Sequence, residues 1–334
     1  MTLSIAILLL TVATLATAEN AFHPLSDEFI SLINSKQSTW KAGRNFHLDT
    51  PLTYIKGLMG IRKGSSTPEI PVQFHDDDLI ANLPENFDVR DKWPNCPSLN
   101  EIGDQGSCGN DCAFAVTGVM TDRVCIDSNE SKHFQFSAQD MTSCSFHSDC
   151  MGGYLDIAFS ELLYVGIVSG GFYNSSQGCK PYEIPPCEHH VDGNRPTCNE
   201  SSDTPLCVKK CVAGYNVEYD KDLHYAKLIY KLNGEDQIKA ELYKNGPVAS
   251  SFVGYEDFVN YKSGVYSHTA GDVLGDHAVK ILGWGVENGK KYWLCANSWN
   301  SDWGEKGFFK ILRGENHCYI EDEVYAGKPD LRGL

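Results

Sequence analysis

The stretch Asp104-Gln105-Gly106-Ser107-Cys108-Gly109-Asn110-Asp111-Cys112-Ala113-Phe114 holds the residues best placed to do chemistry. It reads as a glycine-rich turn feeding the start of a helix. A helix N-terminus presents unpaired N–H groups and a partial positive charge, so it favours an anion. A thiolate nucleophile suits such a position. Here Asp111 and Cys112 stand side by side, and the one that faces outward decides what the site can do.

The elements that position this stretch follow from pattern. Residues 112–126 read as an apolar helix with few polar breaks, hence buried. A second helix is expected over Tyr154–Val165, and a third over Ile238–Asn245, stopped by Gly246-Pro247. Near the N-terminus, Ser26 caps a helix through Asn34. Strands are expected at Val248–Phe252, Ala278–Trp284, Lys291–Ala296 and Gly307–Leu312. Helices first and strands second describe an α+β arrangement of two lobes. Residues 179–211, with five cysteines, five prolines and the pair His189-His190, read as loop.

Composition sets the setting. Over 334 residues the apolar share of 42% suits a globular chain with a sizeable core. A formal charge of -16 argues against nucleic acid and anionic membrane as partners. The apolar run Leu3–Ala18 ends Ala16-Thr17-Ala18 and reads as a signal peptide, residues 1–18, too short for a membrane span. Thirteen cysteines in a secreted chain imply a disulfide framework with at least one thiol left over. Sequons at Asn129, Asn174 and Asn199 mark possible glycosylation sites. The spacings Cys108/Cys112 and Cys207/Cys211 are weak zinc signals, and disulfides are the stronger reading. No metal and no cofactor is expected.

Ordered motifs add a resemblance. Gln105-Gly106-Ser107-Cys108-Gly109 precedes the helix, Asp276-His277-Ala278-Val279 opens a strand, Ala296-Asn297-Ser298-Trp299-Asn300 follows the next, and Trp303-Gly304-Glu305-Lys306-Gly307-Phe308 comes soon after. Together they resemble the papain family of cysteine peptidases. The segment Pro186-Cys187-Glu188-His189-His190-Val191-Asp192-Gly193-Asn194-Arg195-Pro196 resembles the occluding loop of the cathepsin B branch, here about residues 183–207. The resemblance implies a papain-like two-lobed fold, with a helical left lobe, a β-barrel-like right lobe and a cleft between them. It also implies an inhibitory propeptide at 19–82, a peptidase domain at 83–334, and a monomer of the lysosome or of a secretory or digestive lumen. Implied partners are the chain's own propeptide and peptide substrates or inhibitors in the cleft.

Carried over residue by residue, the resemblance makes His277 the general acid/base, Asn297 its orienting amide, Trp299 the shield of that pair, and Gln105 the oxyanion-hole amide. Gly152, Gly153 and Tyr154 match a substrate-binding edge, with Leu155 where the family has proline. Glu323 matches the acid at the bottom of the pocket for the second substrate residue. His189 and His190 match the pair that receives a substrate's C-terminal carboxylate. Asp104 would hold His189, and Arg195 would meet Asp302. The implied disulfides are Cys96–Cys125, Cys108–Cys150, Cys144–Cys207, Cys179–Cys211 and Cys187–Cys198, leaving Cys112, Cys295 and Cys318.

Two departures stand out against that resemblance. The family motif runs Gln-Gly-Ser-Cys-Gly-Ser-Cys-Trp-Ala-Phe, so with no gap Asp111 occupies the nucleophile position and Cys112 the tryptophan position. A helix turns about 100° per residue, so a one-residue shift swings the sulfur off the line to His277. Asp276 stands where the cathepsin B branch usually has glycine. The expectation is a peptide- or inhibitor-binding homologue without peptidase activity. The alternative is an active cysteine peptidase using Cys112 as a shifted nucleophile, which requires a local bulge.

Overall fold

The computed structural model describes residues 22–64, 69–188, 195–198 and 201–334. The expected signal peptide, the pair His189-His190 and the sequon residue Asn199 lie outside those residues. No described helix is long and apolar enough to cross a membrane.

The N-terminal module opens with α1 (Asp27–Lys36). Ser26 caps it, its hydroxyl accepting from Phe29 N at 3.1 Å, and Asp27 and Glu28 sit favourably in the first turn. Phe29 and Ile33 form its buried stripe. Strand β1 (Trp40–Ala42) then adds to the edge of a large sheet, and α2 (Leu52–Gly57) leads the chain into the cleft. A short α3 (Asp77–Ala81) precedes β2 (Phe87–Asp88) and α4 (Val89–Lys92).

The helical lobe is built on α5 (Asp111–Asp127). Every residue from Asp111 to Ile126 except Gly118 is buried, which explains the absence of a polar face. Around it lie α6 (Ala138–Cys144), the small hairpin of β3 (Ser148–Asp149) and β4 (Gly152–Gly153), and α7 (Leu155–Tyr164). Val116, Val119, Met120, Met141, Leu155, Phe159 and Leu162 belong to this lobe's core.

The second lobe holds β5 (Ala226–Leu232), α8 (Glu235–Asn245), β6 (Val248–Tyr255), β7 (Tyr261–Tyr266), β8 (Val273–Glu287), β9 (Lys290–Ala296), β10 (Phe308–Leu312) and β11 (Val324–Pro329). The strand order is β1-β7-β10-β9-β8-β6-β11-β5, with β2 also paired to β8. All pairs are antiparallel except β7 with β10. The sheet is open: its path runs from β1 to β5, and the barrel-like lobe closes no barrel among the described residues. Phe252, Phe258, Trp284, Trp293, Trp299, Trp303 and Phe309 fill its core, and Phe29, Ile33, Trp40 and Phe46 of the N-terminal module join the same cluster.

The disulfides are Cys96–Cys125, Cys108–Cys150, Cys144–Cys207, Cys179–Cys211 and Cys187–Cys198. Cys112, Cys295 and Cys318 are free and buried. Asn129 and Asn174 are exposed on left-handed turns, which asparagine tolerates better than most residues.

Candidate active site

Three chain segments converge where the lobes meet. The start of α5 brings Asp111, the middle of β8 brings His277, and the turn after β9 brings Asn297 and Trp299. Pairing of β8 with β9 sets Lys280 opposite Ala296, which brings the turn at Asn297 alongside His277 on β8.

Asp111 and His277 are both fully buried, and Asp111 Oδ2 lies 2.6 Å from His277 Nδ1. The oxygen sits off the Nδ1–H axis, so the contact is close without being an aligned hydrogen bond. The same oxygen accepts from Ala278 N at 2.9 Å, and Oδ1 accepts from Cys112 N at 2.8 Å. A carboxylate at a helix N-terminus with several backbone donors is a well-solvated buried anion. On the other side of the imidazole, Nε2 lies 2.7 Å from Asn297 Oδ1, an oxygen that also accepts from Ser298 N at 2.8 Å. The Trp299 ring covers the imidazole at 4.8 Å between centroids.

Cys112 points the other way. Its side chain is 0% exposed and belongs to the apolar cluster of the helical lobe with Leu155, Phe159 and Ala278. Burial pushes its thiol pKa well up, and the neighbouring charge of Asp111 adds to the effect. Helix α5 starts at Asp111, so a one-residue step places consecutive side chains in different surroundings.

Gln105 is buried below the site. Its Nε2 donates to Leu58 O at 2.9 Å and to Cys108 O at 2.8 Å, and its Oε1 accepts from Ser298 Oγ at 2.7 Å. The donor that would face a reacting oxygen is thus taken by the N-terminal module. That module threads the cleft as a strap. Gly60 N donates to Asp111 Oδ2 at 3.1 Å, Gly153 N donates to Gly60 O at 2.7 Å, Ile61 N donates to Asp276 O at 3.0 Å, and Arg62 N donates to Gly153 O at 2.8 Å. Gly152 adopts φ +120, and a Cβ there would meet Gly60 O at 2.4 Å, so glycine permits this close approach. Arg62 Nη2 donates to Asp149 Oδ1 at 2.8 Å, and Lys63 Nζ is 2.8 Å from Asp276 Oδ1.

Glu323 accepts from Ser251 Oγ at 2.9 Å and lines a cavity with Lys63, Tyr319 and Asp322. Tyr154 and Glu323 line a second small cavity with Arg62. Arg195 Nη1 donates to Asp302 Oδ2 at 2.8 Å. Asp104 accepts from Gly106 N and Asn300 Nδ2, at 2.8 and 3.1 Å; its expected partner His189 lies outside the described residues. No cluster of metal-ligating side chains occurs among the described residues. Reading the sequence missed Leu58, Gly60, Arg62, Asp149 and Ser298. The available signal was Met59-Gly60-Ile61-Arg62-Lys63, a glycine between apolar residues followed by two cations.

With this geometry in view, the fold and site define a papain-like protein, and comparisons agree. The chain matches the model of the papain family cysteine protease over residues 83–328 and that of the peptidase family C1 propeptide over residues 25–65. It belongs to the papain family. Within the family it is cathepsin B-like: it is 43% identical over 315 residues to a cathepsin B-like cysteine proteinase of Schistosoma japonicum, covering 91% of each chain. It is also 43% identical over 317 residues to cathepsin B-like cysteine proteinase 5 of Caenorhabditis elegans, covering 90% of each. Among solved structures, proCathepsin B S9 from Trypanosoma congolense superposes with a TM-score of 0.80 at 36% identity, covering 92% of this chain and 99% of that one.

Proposed function

We propose that this chain is a cathepsin B-like peptidase homologue that has lost peptide-bond hydrolysis and binds peptides or inhibitors in its cleft. One observation carries the reading: a carboxylate, Asp111 Oδ2, stands 2.6 Å from His277 Nδ1, while the Cys112 thiol is fully buried in the core. Hydrolysis by this family needs a thiolate in line with the imidazole. A carboxylate attacks amides poorly, and aspartyl catalysis of that reaction uses a second carboxyl sharing its proton. Burial also keeps the Cys112 thiol protonated, which removes the nucleophilic form. The remaining parts, Asn297, Trp299, Gln105, Gly152, Gly153, Tyr154 and Glu323, then serve binding.

The same reading places the chain in the secretory pathway, bound for a lysosome or a digestive or extracellular lumen. It has a signal peptide at 1–18 and an inhibitory propeptide at 19–82. It offers sequons at Asn129, Asn174 and Asn199, works as a monomer, and takes neither nucleic acid nor membrane as partner. The five disulfides and the acidic charge of -16 support that setting.

The test treats the protein, before and after acid maturation, with an epoxide thiol reagent and a dibasic fluorogenic peptide. A cathepsin B-like relative serves as control. The expected result is no turnover and no label on Cys112. Turnover together with covalent labelling of Cys112 would overturn the reading and establish the shifted-nucleophile alternative.

A further inference from the structure

The carboxylate of Asp122 and the ammonium of Lys280 form a buried pair that takes no part in the cleft. Lys280 Nζ donates to Asp122 Oδ2 at 2.6 Å, and the two side chains are 9% and 0% exposed. Oδ1 of the same carboxylate is buried with no partner among the described residues. So is Nδ2 of Asn297, whose Oδ1 serves His277 and Ser298. Asp122, Lys280 and Asn297 line one cavity, set between α5 and the strands β8 and β9, and neither Asp111, His277 nor Glu323 reaches it. We propose that this cavity is a ligand site separate from the cleft, that it takes a small neutral molecule bearing a primary carboxamide, and that Asn297 couples it to the imidazole of His277.

Each property of that ligand answers a feature of the wall. The cavity measures about 60 Å³, several times the roughly 10–15 Å³ that one water requires, so a molecule of a few heavy atoms fits. The Lys280 ammonium and the Asp122 carboxylate cancel in charge, so one repels a cation and the other an anion. Glu101, the third charge on the wall, is exposed, and water screens it. A neutral ligand remains. An ammonium has three donors, and one is committed to Oδ2, which leaves donors beside the free acceptor Oδ1. A primary carboxamide meets that pair at two points: its carbonyl oxygen accepts from Lys280 Nζ, and its N–H donates to Asp122 Oδ1. Satisfying a bare buried acceptor removes the desolvation cost of leaving it unpaired. The rings of Phe114 and Phe136 offer apolar wall to the rest of the molecule.

Gly118 keeps the space open. Between Asp111 and Ile126 it is the one residue of α5 that is not buried. A Cβ there would meet only Lys280 Cδ at 3.9 Å and Nζ at 4.0 Å, which is ordinary contact. Glycine inside a helix is less stable than alanine, and no clash requires it at this position. Asn297 supplies the coupling. Its Oδ1 lies 2.7 Å from His277 Nε2, so a bond made by Nδ2 in the cavity holds the same side chain that orients the imidazole.

The test follows the NMR signals of the Asn297 side-chain amide, the Lys280 ammonium and the His277 imidazole in the full chain during titration with acetamide. Acetone is the control, since it has the same size and carbonyl with a methyl group in place of the NH2. Acetamide is expected to shift all three signals saturably, and acetone to bind about tenfold more weakly, the scale of one lost hydrogen bond. Gly118→Leu fills the space beside Lys280 without removing the ion pair, and is expected to abolish the response to acetamide. Equal affinity for acetamide and acetone would overturn the proposal, as would an undiminished response in Gly118→Leu or no saturable shift at all. Saturable shifts of Lys280 alone would overturn the coupling through Asn297. If Gly118→Leu fails to fold, the comparison of acetamide with acetone on the unaltered chain still decides. Labelling and turnover at Cys112 would strike the loss of catalysis and not this experiment.

Discussion

Two buried carboxylate–imidazole contacts, one at the start of α5 and one on α8, are built differently. At the cleft, Asp111 meets His277 at 2.6 Å, and its other partners are backbone amides of Gly60, Ala278 and Cys112. Toward the other end of α5, Glu241 of α8 meets His75 at 2.7 Å, and its other partners are side chains: Arg123 at 2.7 Å, Tyr230 at 2.6 Å and Asn245 at 2.9 Å. Burial alone would raise the Glu241 carboxyl, but Arg123, His75 and Tyr230 outweigh it and hold the pKa down at about 2. One anion is held by a formal cation, the other by dipoles at a helix start. The first arrangement is costly to break from either side. The second loses only part of its partners on a change to asparagine, because one amide oxygen can still accept from the N–H groups on one side. A position of that second kind can exchange one anion-like residue for another without unfolding the chain.

The largest effect should therefore fall away from the cleft. Arg123→Met leaves Glu241 buried with too few partners and is expected to cost about 3–5 kcal/mol in chemical unfolding. Asp111→Asn, measured alongside it, is expected to cost only about 1–2 kcal/mol. Equal losses would break the distinction. Acid titration sharpens it. The Glu241 carboxyl has a folded-state pKa of about 2 against an unfolded value of 4.5, so its contribution is fully present above pH 4.5. As pH falls from 4.5 toward 2, the unfolded state takes up the proton first, and up to about 3 kcal/mol of stability is lost. In Glu241→Gln that slope should disappear from the pH dependence of unfolding.

The second prediction asks whether the cleft can be returned to chemistry. Asp111→Cys places a thiol opposite His277 Nδ1 and should gain epoxide labelling at residue 111 once the strap is removed. Adding Cys112→Trp forces a much larger side chain into a site with 0% exposure, beside Leu155 and Phe159. Overpacking of this kind costs about 1–3 kcal/mol. The double variant should thus label at the same residue and unfold at lower denaturant. Labelling of Cys112 in the single variant would contradict the inward orientation of that thiol.

The parts of this molecule that local pattern encodes were legible in its sequence. The apolar run from Cys112, with few polar breaks, marks α5, Gly246-Pro247 marks the end of α8, and β-branched and aromatic runs mark β6, β8, β9 and β10. Strand β5 escaped because its buried positions do not alternate: Lys227 and Leu228 are both exposed between buried neighbours. Helix α6 is only seven residues, too short for a period to show, although Ser137 caps it. At the site, motif register alone put Asp111 against His277. The strap's contacts were not legible, since the groups that order Gly60–Lys63 lie far along the sequence, at Asp111, Asp149, Gly153 and Asp276. Periodicity reports which face a residue presents, not which distant residue it will meet.

The smallest expected effect tests the same comparison at the surface. Arg195 donates to Asp302 at 2.8 Å, but the two side chains are 28% and 36% exposed, and Glu188 stands 3.9 Å away as a second carboxylate. Water screens such a pair, and fixing two long side chains costs entropy that offsets most of the attraction. Arg195→Ala should change stability by less than about 1 kcal/mol, with any loss fading at high salt. A larger loss that persists in salt would place this latch with the Glu241 network rather than with ordinary surface pairs. The loop it closes would then be held as firmly as the buried flank of α5.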